Sequence, residues 1–113
     1  MRTIIAGSRG ITDYQVFLEN IVLCPWLITC VVSGTAPGVD RLGERWAEEY
    51  AIPIDKYPAD WARYGKAAGH RRNAAMAENA EAAFILWDGY SPGTANMMNT
   101  AKSFGLKIYT KII

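Results

Sequence analysis

The chain is short of the residue types on which most enzyme chemistry relies. It has one histidine, His70, and two cysteines, Cys24 and Cys30, in 113 residues. No CxxC or HExxH spacing occurs, so the usual zinc sites are excluded and no metal is expected. Ser8 and Ser33 are the candidate nucleophiles, but no GxSxG elbow is expected, and only a single histidine could act as base. GxGxxG and GxxxxGK[ST] are missing, which argues against an ordinary dinucleotide dehydrogenase or a P-loop nucleotidase, and no cofactor is implied. Charge of one sign is missing too: 12 basic and 11 acidic residues leave a formal +1. There is no overall field to draw in nucleic acid or an anionic membrane surface. No apolar run approaches the ~20 residues that cross a bilayer. Met1-Arg2 enters a strand-like segment directly, without the apolar stretch of a signal peptide. Both cysteines lie in apolar surroundings and read as buried free thiols, a disulfide being the weaker reading. A cytoplasmic protein is therefore expected.

What is present is an alternation of two hydrophobic periods. Half of the residues are apolar and a fifth charged, enough for a real core. Apolar runs at 2–7, 27–33, 52–58, 82–88 and 106–113 read as strands, with Pro53 suited to the start of the third. Between them lie helical patterns. Thr12-x-x-Gln15 has capping-box spacing ahead of Tyr14, Phe17, Leu18, Ile21 and Val22. In 38–50, Val39, Leu42, Trp46 and Tyr50 form one stripe, and Asp40, Arg41, Glu44, Arg45 and Glu48 are expected on the opposite, solvated face. Residues 61–80 are Ala-rich and helical, interrupted at Gly65 and Gly69. The last helix spans 93–105, ended by Gly105. Such an alternation predicts an α/β fold: a single three-layer domain over 1–113, with a mostly parallel five-stranded sheet and helices on both faces.

Ligands of such sheets bind beyond the carboxyl ends of the strands. Three loops expected there are rich in Gly, Ser and Thr: "GSRG" (7–10), "SGTAPGVD" (33–40) and "WDGYSPGT" (87–94). Small residues let backbone N–H groups meet an anion, hydroxyls add donors, and a helix start adds its free amides. One such loop is ordinary turn chemistry; three at one edge point to a phosphate or ribose site. Arg9 suits a phosphate or an ordinary surface salt bridge. Asp40 suits a helix first turn or a ribose hydroxyl. A second cluster, 59–73, carries Arg63, Lys66, His70, Arg71 and Arg72 with Trp61 and Tyr64, a pattern fitted to phosphate pairing and base stacking or to a solvated helix face. Adjacent helical residues point about 100° apart, so Arg71 and Arg72 are not expected to face one ligand together. Asp40, Asp60 and Asp88 are the carboxylates available for acid–base work.

The segments "GSR", "VVSGTAPGVDRLGERWA", "PADWARYGKAAGHRRNAAM" and "WDGYSPGTANM" resemble the YspA-type, YpsA-related branch of the SLOG superfamily, found in bacteria and their phages. The resemblance runs in order from about residue 2 to residue 109. It implies a Rossmann-like fold and a nucleotide or nucleotide-derived ligand. It assigns the ligand loops to Gly7, Ser8 and Arg9, to Ser33, Gly34, Thr35 and Ala36, and to Asp88, Gly89, Ser91, Gly93 and Thr94. Gly38, Asp40 and Arg41 match the GxDR that follows the second loop, and Asp60, Trp61, His70, Arg71 and Asn73 match the branch's central motif. Relatives include phosphoribohydrolases with a glutamate three residues past the threonine of PGGxGT; here that position is Met97. Relatives also dimerise, so a homodimer or higher homo-oligomer is expected. The reading is a nucleotide-binding sensor or sequestering protein, with a hydrolase of an N-glycosidic or phosphodiester bond as the alternative. A DNA-processing module like DprA comes third, since the near-neutral charge argues against nucleic acid. The loop reading predicts that Gly34→Val blocks ligand binding sterically while the fold survives. Thermal shift with nucleotide ligands checks this, and unchanged affinity in a folded variant counts against it.

Overall fold

Apolar runs of strand length flanked by turn residues pair most economically with one another, and in the computed structural model, which describes residues 1–113, they do. Strands β1 (Arg2–Gly7), β2 (Cys30–Ser33), β3 (Ile54–Lys56), β4 (Ala82–Trp87) and β5 (Lys107–Ile112) form one sheet in the order β3-β2-β1-β4-β5. Every pairing is parallel, so the expected mostly parallel sheet is parallel throughout. The central strands β1 and β4 are buried on both faces, which is why their runs are continuously apolar rather than alternating.

The helices are α1 (Tyr14–Ile21), α2 (Val39–Glu49), α3 (Trp61–Tyr64), α4 (Ala68–Glu78) and α5 (Pro92–Ser103). Alternate strand residues serve two cores. Ile5, Val31, Phe84 and Leu86 pack with Phe17 and Ile21 of α1 and Val39, Leu42 and Ala47 of α2. Ile4, Ala6, Val32, Ala83 and Ile85 pack with Met76 and Ala77 of α4 and Met97 and Ala101 of α5. This is the Rossmann-like α/β arrangement. Because β1 leads to β2 on one side and β4 lies on the other, strand order reverses between β1 and β4. The crevice at their carboxyl ends is the fold's natural ligand position.

Four local expectations are corrected. Asp13, not Thr12, caps α1: its Oδ1 accepts from the amides of Gln15 at 2.9 Å and Val16 at 3.4 Å. A carboxylate one residue nearer the helix outcompetes the hydroxyl of the Thr-x-x-Gln box. That helix ends at Ile21, leaving Val22 exposed. Strand β2 begins at Cys30 rather than Leu27, because its partner β1 begins at Arg2 and Arg2 aligns with Cys30. The run 61–80 is split once, not twice: Gly65 takes φ +53 and opens a 3-10 turn over Gly65–Ala67, while Gly69 lies inside α4. Gly105, with φ +72, follows the end of α5 as expected.

One close approach sets the position of α2. A Cβ on Gly7 would lie 2.0 Å from the carbonyl oxygen of Leu86 and 2.6 Å from Val39 Cγ2. The start of α2 therefore sits directly on the end of β1 only because residue 7 has no side chain. We expect Gly7→Ala to destabilise the fold by about 1–3 kcal/mol through overpacking. Gly10→Ala, whose Cβ would meet nothing within 4 Å, should stay within about 0.5 kcal/mol. Urea denaturation of the two variants checks the contrast.

Candidate functional site

A cleft of about 310 Å³ opens at the reversal point between β1 and β4. Its walls come from the loop after β1 (Gly7, Arg9, Gly10), the loop and first turn of α2 (Ala36, Asp40), one face of α4 (Arg72, Asn73, Met76) and the start of α5 (Ser91 to Thr94), with Met97 beneath.

The two loops that bracket the crevice are tied together. Ser8, fully buried, accepts the Asp88 amide on its Oγ at 2.9 Å, and its own amide donates to the Leu86 carbonyl at 3.1 Å. The Asp88 carboxylate accepts from the amides of Tyr90 at 2.8 Å and Ser91 at 2.9 Å. Ser91 Oγ donates to Asp88 Oδ2 at 2.9 Å and lies 3.1 Å from Ser8 Oγ. These bonds hold the Asp88 carboxyl at a pKa of about 2, the backbone N–H of Tyr90 contributing most. A carboxylate so committed is a loop staple, a poor base. Against the expectation of no such motif, Gly89 to Gly93 spell GxSxG at a strand-to-helix turn. It does not build a nucleophile elbow: Ser91 has an unstrained backbone (φ −60, ψ 114) and a hydroxyl spent on Asp88, and the one histidine is exposed outside the cleft.

The α2 face expected to be solvated is so only in part: Arg41, Arg45 and Glu48 are exposed, but two of its carboxylates are not. Asp40 and Glu44 are each only 5% exposed. Glu44 accepts a 2.6 Å hydrogen bond from Ser33 Oγ and is flanked by Arg41 at 3.2 Å and Lys56 at 3.8 Å. Ser33 Oγ in turn accepts the Thr35 amide at 3.1 Å. Thr35 has φ 63, a left-handed backbone that a β-branched residue rarely adopts, and this chain of bonds pins it there. Asp40 faces the cleft. Burial pushes its carboxyl up to about 6, opposed by the Ala36 amide, which donates at 3.2 Å, and by the nearby Arg72 and Arg9.

Arg72 crosses the site. Its Nη1 donates to the Gly34 carbonyl and its Nε to Asn73 Oδ1 at 3.0 Å, both neutral acceptors. It forms no salt bridge, nor does Arg9. Burial lowers the Arg72 pKa, an indication of a cation held out of water. A Cβ on Gly34 would sit 2.6 Å from Arg72 Nη1 and 2.8 Å from Asp40 Oδ2, so this glycine admits both charges to the site. The first turn of α5 has no side-chain cap, and the amides of Gly93 and Thr94 make no hydrogen bond within the chain. Two cations without a salt bridge thus line one cleft with an open helix start, Asp40 being the carboxyl nearest them.

Among the residues singled out in the sequence, Gly7, Arg9, Ala36, Asp40, Asn73, Ser91, Gly93 and Thr94 line this cleft. Gly34, Thr35 and Trp61 line a groove of about 240 Å³ beside it, which shares Arg9, Ala36 and Arg72. Asp60 and Arg71 line a third hollow of about 290 Å³, where Asp60 caps α3 by accepting the Arg63 amide at 3.1 Å; Arg72 lines it too, so the two arginines expected to point apart share one cavity. Ser8, Ser33, Gly38, Arg41, Asp88 and Gly89 hold the loops without lining a cavity, and His70 is exposed away from all three. The cleft's cation from α4 is Arg72, which the sequence reading passed over as a site residue. Helical phase carried the signal: Ala68, Arg72 and Met76 share one face of α4, and Ala68 and Met76 are buried. No group of three His, Cys, Asp or Glu side chains comes together as a metal cluster.

The carboxyl of Asp40 holds its proton more tightly folded than unfolded, where 3.8 is its ordinary value. Its contribution to stability is fully present below about pH 4 and is lost as pH rises through about 6. We therefore expect Asp40→Asn, which keeps an acceptor for the Ala36 amide, to raise stability on the order of 2 kcal/mol at pH 8 and by little at pH 4. Paired denaturation curves at the two pH values check this; an equal effect at both would remove the buried carboxylate as its cause.

A model of the YspA, cpYpsA-related SLOG family matches residues 1–64 of the chain. No curated protein and no solved structure gives a significant match.

Proposed function

For a chain that belongs to the YspA, cpYpsA-related SLOG family, we propose binding of a nucleotide or nucleotide-derived small molecule, held as a sensor or a sequestering protein holds its ligand. Residues 1–113 act as one ligand-binding domain. One observation carries the reading. Arg9 and Arg72, neither in a salt bridge and with Asp40 as the one carboxyl beside them, line a cleft that the unbonded amides of Gly93 and Thr94 also line. A phosphate is the ligand group that meets two guanidinium forks and a helix start at once. Asp40 offers an acceptor to the sugar, while Asn73 is held by Arg72 and Asn96, and Trp61, 54% exposed, offers a face to the base.

Asp40 favours one alternative. A carboxyl titrating near 6 inside the cleft can protonate a leaving group, so hydrolysis of an N-glycosidic or phosphodiester bond is the second reading. Asp88 and Asp60 have other duties, as loop staple and helix cap. The site for both readings is in a reducing compartment, the cytoplasm, where Cys24 and Cys30 stay free. No helix is long and apolar enough to cross a membrane. Exposed Val22, Leu23 and Leu27 form an apolar corner suited to self-association as a homodimer.

Incubation with nucleoside mono- and diphosphates, followed by thermal shift and chromatography of the ligand, tests the proposal. A ligand at a hundred times its Kd should stabilise by about 2.7 kcal/mol, roughly 10 °C in Tm, and Arg72→Ala should abolish the shift. A ligand recovered unchanged marks a holding protein; free base or released phosphate marks the hydrolase. No shift with any phosphate ligand would sink both readings.

A further inference from the structure

The cleft does not end at its own walls. The side groove shares Arg9, Ala36 and Arg72 with it, and the third hollow shares Pro58 and Arg72 with the groove. Arg72 is therefore common to all three, and the groove adjoins both of the others. Each of the three has a distinct chemistry. The cleft presents Arg9 and Arg72. The groove presents Trp61, whose indole lies over Gly69 of α4, where a Cβ would stand 3.6 Å from Trp61 Cη2. The outer hollow presents Arg71, laid over the Tyr64 ring with its guanidinium carbon 4.4 Å from the centroid. Arg63 lies over the same ring at 5.1 Å. Cations between residues 61 and 72 form no salt bridge. The one carboxylate in the hollow, Asp60, is occupied by the Arg63 amide.

Stacking restricts Arg71 to one place and leaves its guanidinium edge free for an anion. Size agrees. A cleft of about 310 Å³ is at the bottom of the ligand-pocket range of roughly 300–1,000 Å³, and the adjoining groove and hollow add to it. Cations line all three, and aromatic rings line the groove and the hollow.

Building on the nucleotide reading, we infer that the ligand carries two phosphate groups separated by a nucleoside. One phosphate lies between Arg9 and Arg72, the base lies on Trp61, and the second phosphate meets Arg71. A nucleoside 3′,5′-bisphosphate and a short linear dinucleotide share this chemistry; a nucleoside diphosphate, with both charges at one end, does not.

Calorimetric titration of the full chain with AMP, ADP, adenosine 3′,5′-bisphosphate and the linear dinucleotide pApA separates the cases. The bisphosphate or pApA should bind at least tenfold more tightly than ADP, and the better of the two identifies the source of the second phosphate. In Arg71→Ala the ratio of bisphosphate to AMP affinity should fall toward one, and Arg71→Lys should restore part of it. Arg71 is exposed, so both variants should fold, which circular dichroism verifies. Binding of AMP with no gain for either extended ligand over ADP, or a gain that survives Arg71→Ala, overturns the inference and leaves the nucleotide reading standing. Absence of binding by all four ligands overturns both.

Discussion

The structure depends on the seating of the first turn of α2 on the end of β1. Gly7 and Gly38 make it possible, since a side chain on either would run into backbone. Gly38 also takes φ +83, bringing the chain off its loop at the angle that lays Val39 against β1. Once that contact forms, Asp40 has no route to solvent and faces the cleft, and Glu44, one turn on, meets Ser33. A glycine-rich loop usually suggests room for a ligand. Here two of the glycines make room for the protein itself, and the ligand space opens elsewhere, at Gly10 and Gly93.

The site is an exercise in holding charge where water is scarce. Asp40 is kept in the cleft although burial disfavours its ionised form. Arg72 is kept there with neutral partners. Thr35 is kept in a left-handed backbone by Ser33 and Glu44. Each of these lowers stability if considered alone; Asp40 and Arg72 line the cleft, and Thr35 lines the groove beside it. Strain and desolvated charge in adjoining hollows fit a surface shaped for something other than folding.

The architecture was legible in the sequence because strand and helix periods alternate cleanly: Ile4 and Ile5 read as a strand buried on both faces, and Val39, Leu42 and Trp46 as a helix stripe. The sheet edge where the three glycine-rich loops gather was legible from the same alternation. What the pattern hid was which polar residues turn inward. Asp40 and Glu44 occupy positions that a helical wheel assigns to solvent, and only the crossing of α2 over β1 covers them. Arg72 was hidden differently, since the wheel does place it on the buried face of α4, but a basic residue in a basic run draws no attention to its phase. The capping of α1 by Asp13 instead of Thr12 shows the limit of a spacing rule where two acceptors compete one residue apart.

The floor of the cleft has a property that its rim lacks. Met76 and Met97 form that floor, and an unbranched thioether with three rotatable bonds reshapes itself to what lies on it. The rim is stiff: Arg72 is bonded at two of its nitrogens and the Ser8–Asp88–Ser91 knot fixes the loop opposite. On the proposed reading, recognition is divided between a frame that measures charge and a cushion that tolerates shape. Exchange of a few rim residues on such a plan would change which ligand is selected without asking the core to repack, at low cost to stability.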